Sequence, residues 1–179
     1  MDSIAVFGGG CFWCTEAVFK SLKGVLSVKS GYAGGSAETA NYTRVSEGNT
    51  GHAEVVEIIY NQQKISFADL LSVFFNTHDP TTLNRQGSDS GTQYRSVIFY
   101  TTPEQKEEAE KLIKELNETE SYEKPVVTEV VPLDKFYEAE DYHKNYYETH
   151  PEAAYCQLVI APKMEKLQRR FQNLIKSPV

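Results

Sequence analysis

The sequence reads GGGCFWCTE at residues 8–16, and this stretch organises the interpretation of the rest of the chain. The run from Ile4 to Phe7 before it is typical of a β-strand, and the apolar residues after it recur at helical spacing as far as Gly24. Cys11 is therefore predicted to lie at a helix N-terminus, where unpaired backbone N–H groups and the helix dipole favour the thiolate. The glycines leave room for a substrate to approach the sulfur. The stretch thus predicts a nucleophilic cysteine.

Three other kinds of site use glycines or cysteines in this arrangement. A dinucleotide-binding fingerprint needs a third glycine at the position of Trp13, so that fold is excluded. A zinc site needs a second closely spaced pair of ligands, and Cys156 is the only cysteine besides Cys11 and Cys14, so no bound metal is expected. A thioredoxin-like dithiol also places Cys-x-x-Cys after a strand at a helix start, and this alternative stays open.

The composition is that of an ordinary globular protein. With 40% hydrophobic and 24% charged residues in 179, the chain is predicted to fold as a single domain over residues 1–179. The net charge of -7 argues against a nucleic-acid surface and against attraction to anionic lipid. The N-terminus has neither a basic region nor a long apolar stretch, so we expect a cytoplasmic protein without a membrane span. Three cysteines, an odd number, indicate thiol chemistry rather than structural disulfides.

A carboxylate is predicted on the apolar face of one strand. Residues 52–60 are β-rich, and their alternation puts Glu54 on the same face as Val56 and Ile58. Burial there should raise the pKa of Glu54, because desolvation disfavours the charged form. Glu57 shares the opposite face with other apolar residues, so alternation alone does not choose between the two carboxylates. The place of Glu54 at the start of the strand favours Glu54.

Helices and strands alternate along the rest of the chain. Capping boxes start two helices, one at Ser66 and one at Thr102 with Gln105 as its partner. Polar, turn-rich segments at residues 33–51 and 78–95 are predicted to be long loops. This alternation predicts an α+β fold, a two-layer sandwich with helices packed on a mixed β-sheet. The other predicted segments are strands at 25–32, 96–100 and 126–131, a partly helical aromatic segment at 136–150, an extended stretch at 155–160 and a last helix from Pro162.

Five motifs resemble those of class A peptide methionine sulfoxide reductases, in the same order along the chain. The motifs are GCFW at residues 10–13, GYAGG at 31–35, TGHAEV at 50–55, HDP at 78–80 and GTQYRS at 91–96. The resemblance implies a ferredoxin-like plait and an enzyme that reduces methionine-S-sulfoxide, free or in proteins, to methionine. It also implies a role in protein repair under oxidative stress, with thioredoxin or another dithiol as the reductant and no cofactor.

The resemblance also implies roles for single residues. Cys11 would attack the sulfoxide sulfur, and a protonated Glu54 would give its proton to the departing oxygen. Tyr42 and Tyr94 would donate hydrogen bonds to that oxygen. Four further residues complete the expected substrate site: Phe12 and Trp13 flank the methyl group, His143 is a further binding residue, and Asp89 fixes the substrate backbone or orients a tyrosine.

The thiols that recycle the enzyme depart from the family pattern. Cys11 would become a sulfenic acid, which condenses with another thiol to a disulfide. The commoner motif has glycine where this chain has Cys14, and many members end in a glycine-rich tail with two cysteines, where this chain has only Cys156. Cys156 is expected to resolve the sulfenic acid first, because its position resembles that of the family's recycling cysteine. Cys14 lies three residues from Cys11 on a helix surface, and it is the alternative resolver or a relay to thioredoxin.

Two functions from other classes stay open on the residues alone. A thioredoxin-like thiol-disulfide exchanger would use Cys11 and Cys14, but its reaction would give no chemical role to Glu54, Tyr42 and Tyr94. A non-enzymatic module that binds methionine-bearing peptides would need the aromatic residues but no reactive thiol. Consumption of methionine sulfoxide with dithiothreitol as the reductant separates the three functions.

Overall fold

A mixed β-sheet of six strands carries the helices of the chain. The computed structural model describes residues 1–177, so the last two residues of the domain predicted over 1–179 lie outside the described residues. The strands are β1 Asp2–Gly8, β2 Val25–Ala33, β3 Ala53–Asn61, β4 Arg85–Gln86, β5 Asp89–Ser90, β6 Val97–Tyr100, β7 Glu129–Pro132 and β8 Phe136–Glu138. The helices are α1 Phe12–Lys20, α2 Tyr42–Val45, α3 Phe67–Thr77, α4 Pro103–Glu118, α5 Tyr146–Thr149 and α6 Ala161–Arg170.

The strand order of the main sheet is β7-β6-β1-β3-β2-β8, and β4 with β5 forms a separate short hairpin. β6 and β7 run parallel while the other neighbours are antiparallel, so the sheet is mixed, as predicted. The register pairs Phe7 with Val56 and Tyr32 with Glu54. Glu54 therefore lies on an inner strand, close to the point where β1 ends and the chain turns into α1.

The long helices pack on one face of this sheet. Ala5 and Phe7 of β1 and Ile58 of β3 lie on that face and are fully buried. Phe19 of α1 and Phe74 of α3 pack around Phe7, with ring centroids 5.5 and 4.9 Å from it. Burying each such ring contributes about 2 kcal/mol, so these contacts join both helices to the sheet. The predicted α+β two-layer sandwich is confirmed. The opposite face carries a smaller apolar cluster, which comprises Val6, Ala33, Ala53, Val55, Val97 and Phe99 with Val131, Leu133 and Phe136 against them.

The two predicted capping boxes differ in outcome. At α3 the box is complete, because the Asp69 N–H donates to Ser66 Oγ and the Ser66 N–H donates to the Asp69 carboxylate, both at 3.0 Å. At α4 the Gln105 N–H donates to Thr102 Oγ1 at 3.2 Å, but the return bond is missing. The Gln105 side-chain oxygen accepts the Thr101 N–H instead, at 2.9 Å, and its amide N–H donates to the carbonyl of Ile4 at 2.7 Å. Gln105 therefore ties α4 to β1 rather than closing the box.

Two predicted extended segments are wrong in part or in whole. Strand β7 begins at Glu129 rather than at Val126, because the Val127 N–H donates to the Pro80 carbonyl in the preceding loop at 2.8 Å. Residues 155–160 are helical, with a π-type turn over Cys156–Ile160 that runs directly into α6. α6 itself begins at Ala161, one residue before the predicted start.

Pro162 accounts for the widened turn that precedes α6. Proline has no backbone N–H, and its ring crowds the carbonyl four residues back, so a helix that runs through a proline has to open there. The helical backbone starts before Cys156 and continues through Pro162, and the π-type turn is its widened part. The aromatic and β-branched residues of this segment suggested a strand, but their packing against α1 favours the helix.

The two predicted loops are partly ordered by short turns and joined to each other. The first contains α2, and His52 anchors it, because one ring nitrogen accepts the Gly35 N–H at 3.2 Å and the other donates to the Ser36 carbonyl at 2.8 Å. The second contains the β4–β5 hairpin and a 3₁₀ turn at Thr92–Tyr94. The Arg95 guanidinium donates to the carbonyl of Gly51 at 2.9 Å, and this bond joins the second loop to the first.

Candidate active site

Cys11 is the N-cap residue of α1, as predicted. The chain turns from β1 into α1 through Gly10, whose φ of +97° lies in the region that a side chain rarely adopts. A Cβ at Gly10 would also come within 2.7 Å of the Gln86 side chain, so this position requires glycine. Cys11 keeps 9% of its surface exposed, against 2% for Cys14 and 0% for Cys156. Cys11 is therefore the thiol that a substrate reaches most directly.

The pKa of Cys11 differs from the expectation for a helix N-terminus. Burial raises the pKa of Cys11, and the charges of Glu54 and Cys14 raise it further. A hydrogen bond from the backbone N–H of Trp13 lowers the pKa of Cys11, but the net pKa lies well above the usual value of a thiol. The prediction that the helix start favours the thiolate is therefore wrong for the free protein, because desolvation outweighs the effect of the helix end. Cys11 rests as a neutral thiol.

Glu54 is a buried acid next to the start of α1. Its residue surface is 2% exposed, and its Oε1 accepts the backbone N–H of Phe12 at 3.2 Å. Burial raises the pKa of Glu54 to about 8, against the opposing effect of the Phe12 hydrogen bond, and the charge of Asp89 adds to the rise. The carboxyl is therefore protonated at neutral pH, in the direction predicted. Glu57, on the opposite face of β3, is only half-buried.

Tyr42 and Tyr94 come from different loops and lie close to Cys11 and Glu54. Tyr42 is the first residue of α2, and Tyr94 ends the 3₁₀ turn of the second loop. Burial raises the pKa of both hydroxyls, and the charges of Glu54 and Cys11 raise the two pKa values further. Both phenols are thus neutral donors near the thiol and the acid. The structure brings together the four residues that the sequence predicted as catalytic.

Aromatic rings form one wall of the site. The Trp13 indole stacks on Tyr146 with centroids 3.6 Å apart, and its Nε1 donates to His143 Nδ1 at 3.0 Å. Because Nδ1 accepts this bond and burial lowers the pKa of His143, the ring is neutral with its proton on Nε2. The rings of Phe12 and Tyr42 lie 4.9 and 4.7 Å from His143. These locked apolar surfaces can receive a small methyl or thioether group.

Tyr155 is a residue of the site that the sequence analysis missed. Its hydroxyl donates to Asp89 Oδ2 at 2.9 Å and lies 3.6 Å from the sulfur of Cys14. Because the hydroxyl proton is used on Asp89, the Tyr155 oxygen accepts from the Cys14 thiol. Asp89 therefore orients a tyrosine, which is one of the two roles expected for it, although the tyrosine is Tyr155. No local pattern joins residues that are 66 positions apart.

Glu140 is a second residue that the sequence analysis missed. One carboxylate oxygen accepts the Tyr32 hydroxyl at 2.9 Å, and the other accepts the backbone N–H of Tyr42 at 3.0 Å. Although burial raises the pKa of Glu140, these hydrogen bonds outweigh it and hold the pKa below its usual range. The ionised carboxylate fixes the first residue of α2 against β2, and so it holds Tyr42 in place. Its only sequence signal is its position just before His143.

Cys14 lies between the other two cysteines. Its backbone N–H donates to the Cys11 carbonyl at 3.1 Å, and its side chain shares an apolar cluster with Cys156 and Ile160. All three cysteines are free thiols. The extended conformation expected for Cys156 is wrong, because Cys156 begins the π-type turn and is fully buried where that turn packs on α1.

His78 lies near this site, but its ring is occupied by structural contacts. Nδ1 donates to the Phe74 carbonyl at 2.6 Å, and Nε2 accepts from Ser96 Oγ at 2.8 Å. Burial lowers the pKa of His78 to about 4, so the ring is neutral.

Residues 1–177 contain no group of three His, Cys, Asp or Glu side chains placed to hold a metal ion. In the same part of the chain, no helix has the length and the apolar character needed to cross a bilayer.

Comparison with known proteins agrees with this geometry. A family model described as "Peptide methionine sulfoxide reductase" matches residues 3–175. The chain is 54% identical over 173 residues to "Peptide methionine sulfoxide reductase MsrA" of Acinetobacter baumannii (strain AYE), which covers 97% of this chain and 98% of that protein. The reduced form of Mxr1 from Saccharomyces cerevisiae has a TM-score of 0.81 at 34% identity, over 87% of this chain and 89% of that one. Mxr1 in complex with Trx2 has a TM-score of 0.58 at 26% identity, over 81% of this chain and 84% of that one.

Proposed function

The chain belongs to the peptide methionine sulfoxide reductase family, and we propose that its residues carry out the reaction as follows. The protein is an oxidoreductase that reduces methionine sulfoxide to methionine. Cys11 attacks the sulfoxide sulfur, Glu54 protonates the departing oxygen, and the hydroxyls of Tyr42 and Tyr94 hold that oxygen. In the net change the bond formed between the Cys11 sulfur and the sulfoxide sulfur breaks again, the oxygen passes to the Cys11 sulfur, methionine is released, and the Cys11 thiol becomes a sulfenic acid.

The observation that carries this proposal is a protonated carboxyl beside a neutral thiol in one buried site. An acid works best when its pKa lies near the operating pH, and the pKa of Glu54 is about 8. Once Glu54 has given its proton to the oxygen, its carboxylate takes up the proton of the Cys11 thiol as that sulfur attacks. The carboxyl is thereby restored, and the site needs no external acid or base in this step.

The fixed positions of the three groups on the sulfoxide support reduction of a single epimer, and the resemblance to the class A enzymes implies that it is the S epimer. The thiol of Cys11 approaches from one side, while Glu54 and the two tyrosines hold the oxygen on another. The rings of Phe12 and Trp13 receive the methyl group, and the neutral His143 closes the same wall. A sulfoxide of the opposite configuration would exchange the oxygen and the methyl group, and it would leave the half-buried tyrosines without an acceptor for their hydroxyls.

The arrangement of the thiols favours Cys14 over Cys156 as the partner of oxidised Cys11. Cys14 is a single helical turn from Cys11, whereas Cys156 is fully buried in a helical turn against the other side of Cys14. We therefore propose that Cys14 forms the first disulfide with Cys11. The expectation that Cys156 acts first came from the resemblance of its position to that of the family's recycling cysteine, in a stretch predicted to be extended.

Thiols supply both electrons in this scheme, so the reaction requires no bound cofactor. Thioredoxin is the proposed reductant, and the similarity to Mxr1, which has been solved in complex with Trx2, supports it. The three free cysteines fit a reducing compartment, and we propose that the protein repairs oxidised proteins in the cytoplasm.

One assay with a matched variant separates this function from the two rival functions. We expect the chain to consume methionine sulfoxide with dithiothreitol, and Cys14→Ser to keep most of that activity, because dithiothreitol reduces the sulfenic acid directly. If the chain were a thioredoxin-like exchanger, any consumption of methionine sulfoxide would be lost in Cys14→Ser. If it were a binding module, no methionine sulfoxide would be consumed at all. Either of these results would overturn the proposal.

A further inference from the structure

A cleft that the reductase mechanism does not use opens toward Cys14. It lies between the end of α3, the start of α6 and the segment at residues 122–124, and its volume is about 670 Å³. Pockets for small ligands have volumes of about 300–1,000 Å³, so the cleft is large enough for a small molecule and too small for a folded protein. None of the residues proposed to bind the sulfoxide lines it.

A small cavity joins this cleft to Cys14. The cavity has a volume of about 10 Å³, close to the least that holds one water molecule, and Cys14 lines it. Thr77, His78 and Lys163 line both the cavity and the cleft. Cys14 therefore lies behind the wall that the cavity and the cleft share.

The cleft concentrates cations in a chain whose net charge is -7. Lys124, Lys163 and Lys166 line it, and within residues 1–177 none of them forms a salt bridge. Of the two acidic residues in the lining, Asp79 already accepts the N–H and the hydroxyl of Thr81, at 2.9 and 2.6 Å. Glu123 is the other, and it is exposed. The lysines thus outnumber the carboxylates that face them.

The charge of Lys163 lowers the pKa of the Cys14 thiol. Burial raises the pKa of the Cys14 thiol, and the Lys163 ammonium is the strongest influence in the opposite direction. Burial also lowers the pKa of Lys166, with the charges of Arg170 and Lys163 acting in the same direction. An anion in the cleft would relieve this crowding of like charges.

We propose that this cleft admits a small anionic thiol, which reduces the oxidised enzyme by attack on Cys14. The inference rests on the proposed function, because it takes the disulfide between Cys11 and Cys14 as its starting point. The thiolate attacks the Cys14 sulfur, the bond between the two cysteines breaks, and Cys11 leaves as a thiolate that takes a proton. A second thiolate then attacks the bound thiol, releases Cys14 and leaves as a disulfide. Two thiols are oxidised for each enzyme disulfide that is reduced.

A series of thiols that differ in charge tests the proposal. The oxidised enzyme is prepared by one turnover with methionine sulfoxide, and the methionine formed is counted. Its disulfide is then reduced with 2-mercaptoethanesulfonate, 2-mercaptoethanol or cysteamine, and free cysteines are trapped by alkylation over time. The variants are the double substitution Lys124→Gln with Lys166→Gln, which leaves Lys163 beside Cys14, and the control Lys64→Gln on a remote exposed turn.

The expected result is a loss that depends on the charge of the thiol. The double variant should react with the sulfonate thiol about fivefold or more slowly, the effect of one charge pair at about 4 Å in water. It should react with the neutral thiol at an unchanged rate and with cysteamine faster, and added salt should remove the differences. Lys64→Gln should match the unsubstituted enzyme with all three thiols.

Two outcomes overturn the inference, and they differ from failure of the proposed function. If methionine and the disulfide form but the double variant slows all three thiols equally or none of them, the cleft does not select an anionic thiol. A first disulfide that leaves Cys14 free also overturns it. If no methionine forms in the preparative turnover, the proposed function itself fails, and the inference falls with it.

Discussion

Glu54→Gln tests the buried acid, because glutamine keeps the shape of the side chain but cannot release a proton. The glutamine oxygen can still accept the Phe12 N–H that Glu54 accepts at 3.2 Å, so the start of α1 should be retained. Loss of a general acid costs about 10²–10⁴ in rate, and we expect kcat/KM for methionine-S-sulfoxide to fall by that amount. Glu57→Gln, half-buried on the opposite face of β3, is the matched control and should have little effect.

The pH dependence of the rate is a second test of the pKa of Glu54. The pKa of Glu54 is about 8, and the protonated carboxyl is the active form. The rate of the unsubstituted enzyme should therefore hold below pH 8 and fall about tenfold for each pH unit above it, through this group alone. Glu54→Gln has no proton to lose, so its residual rate should not show this fall.

Protein stability reports the same pKa without any substrate. The unfolded carboxyl loses its proton above its ordinary pKa of 4.5, while folded Glu54 keeps its proton up to about pH 8. Between these values the unfolded chain binds fewer protons, so this group lowers the free energy of unfolding as pH rises, by about 1.4 kcal/mol per pH unit. Glutamine does not titrate. Relative to the unsubstituted chain, Glu54→Gln should thus gain about 3 kcal/mol at pH 7 and nothing at pH 4.

Steady-state kinetics and denaturant unfolding at pH 4 and pH 7 measure these quantities. A Glu54→Gln variant as fast as the unsubstituted enzyme would refute the assignment of the acid. A larger loss of kcat/KM in Glu57→Gln than in Glu54→Gln would identify Glu57, on the other face of β3, as the acid. A stability difference that is the same at both pH values would refute the raised pKa.

Three further measurements test the stereochemistry, the binding of the oxygen and the first disulfide. A racemic methionine sulfoxide should stall half consumed, and complete consumption would contradict the fixed positions of oxygen and methyl. Tyr94→Phe removes one donor to the developing charge and should lower kcat about 10- to 100-fold, whereas an unchanged kcat would place the hydroxyl outside the site. After one turnover without reductant, a tryptic digest should give the peptide of residues 1–20 alone and two hydrogens lighter. A link from it to the peptide of residues 145–163 would instead make Cys156 the resolver.

The parts of the fold that follow from local pattern were predictable. Cys11 lies at a helix start because glycines end β1 and an apolar helical pattern follows, and both signals are adjacent in sequence. The strand alternation placed Glu54 on the buried face, and its cross-strand neighbour is Tyr32. The helix from Ser66 was marked by its own capping box. In each case the information lies within one element.

The parts that depend on distant contacts were not predictable. Residues 155–160 have strand-like composition, yet they fold as a helical turn because Cys156 packs on Cys14 of α1. Tyr155 and Glu140 make contacts with residues far away in sequence, and no periodicity signals such pairs. The raised pKa of Cys11 was not predictable for the same reason. The burial that raises it comes from elements that are distant from Cys11 in sequence.

The methionine formed in the absence of any reductant shows whether Cys11 alone removes the oxygen. Each variant is mixed with excess methionine-S-sulfoxide without any reductant, and the methionine formed per chain is counted after the reaction stops. Cys14→Ser and Cys156→Ser should each form methionine, because the oxygen transfer needs neither thiol, whereas Cys11→Ser should form none. If Cys11→Ser formed methionine in an amount comparable to the other two variants, Cys11 would not be the nucleophile.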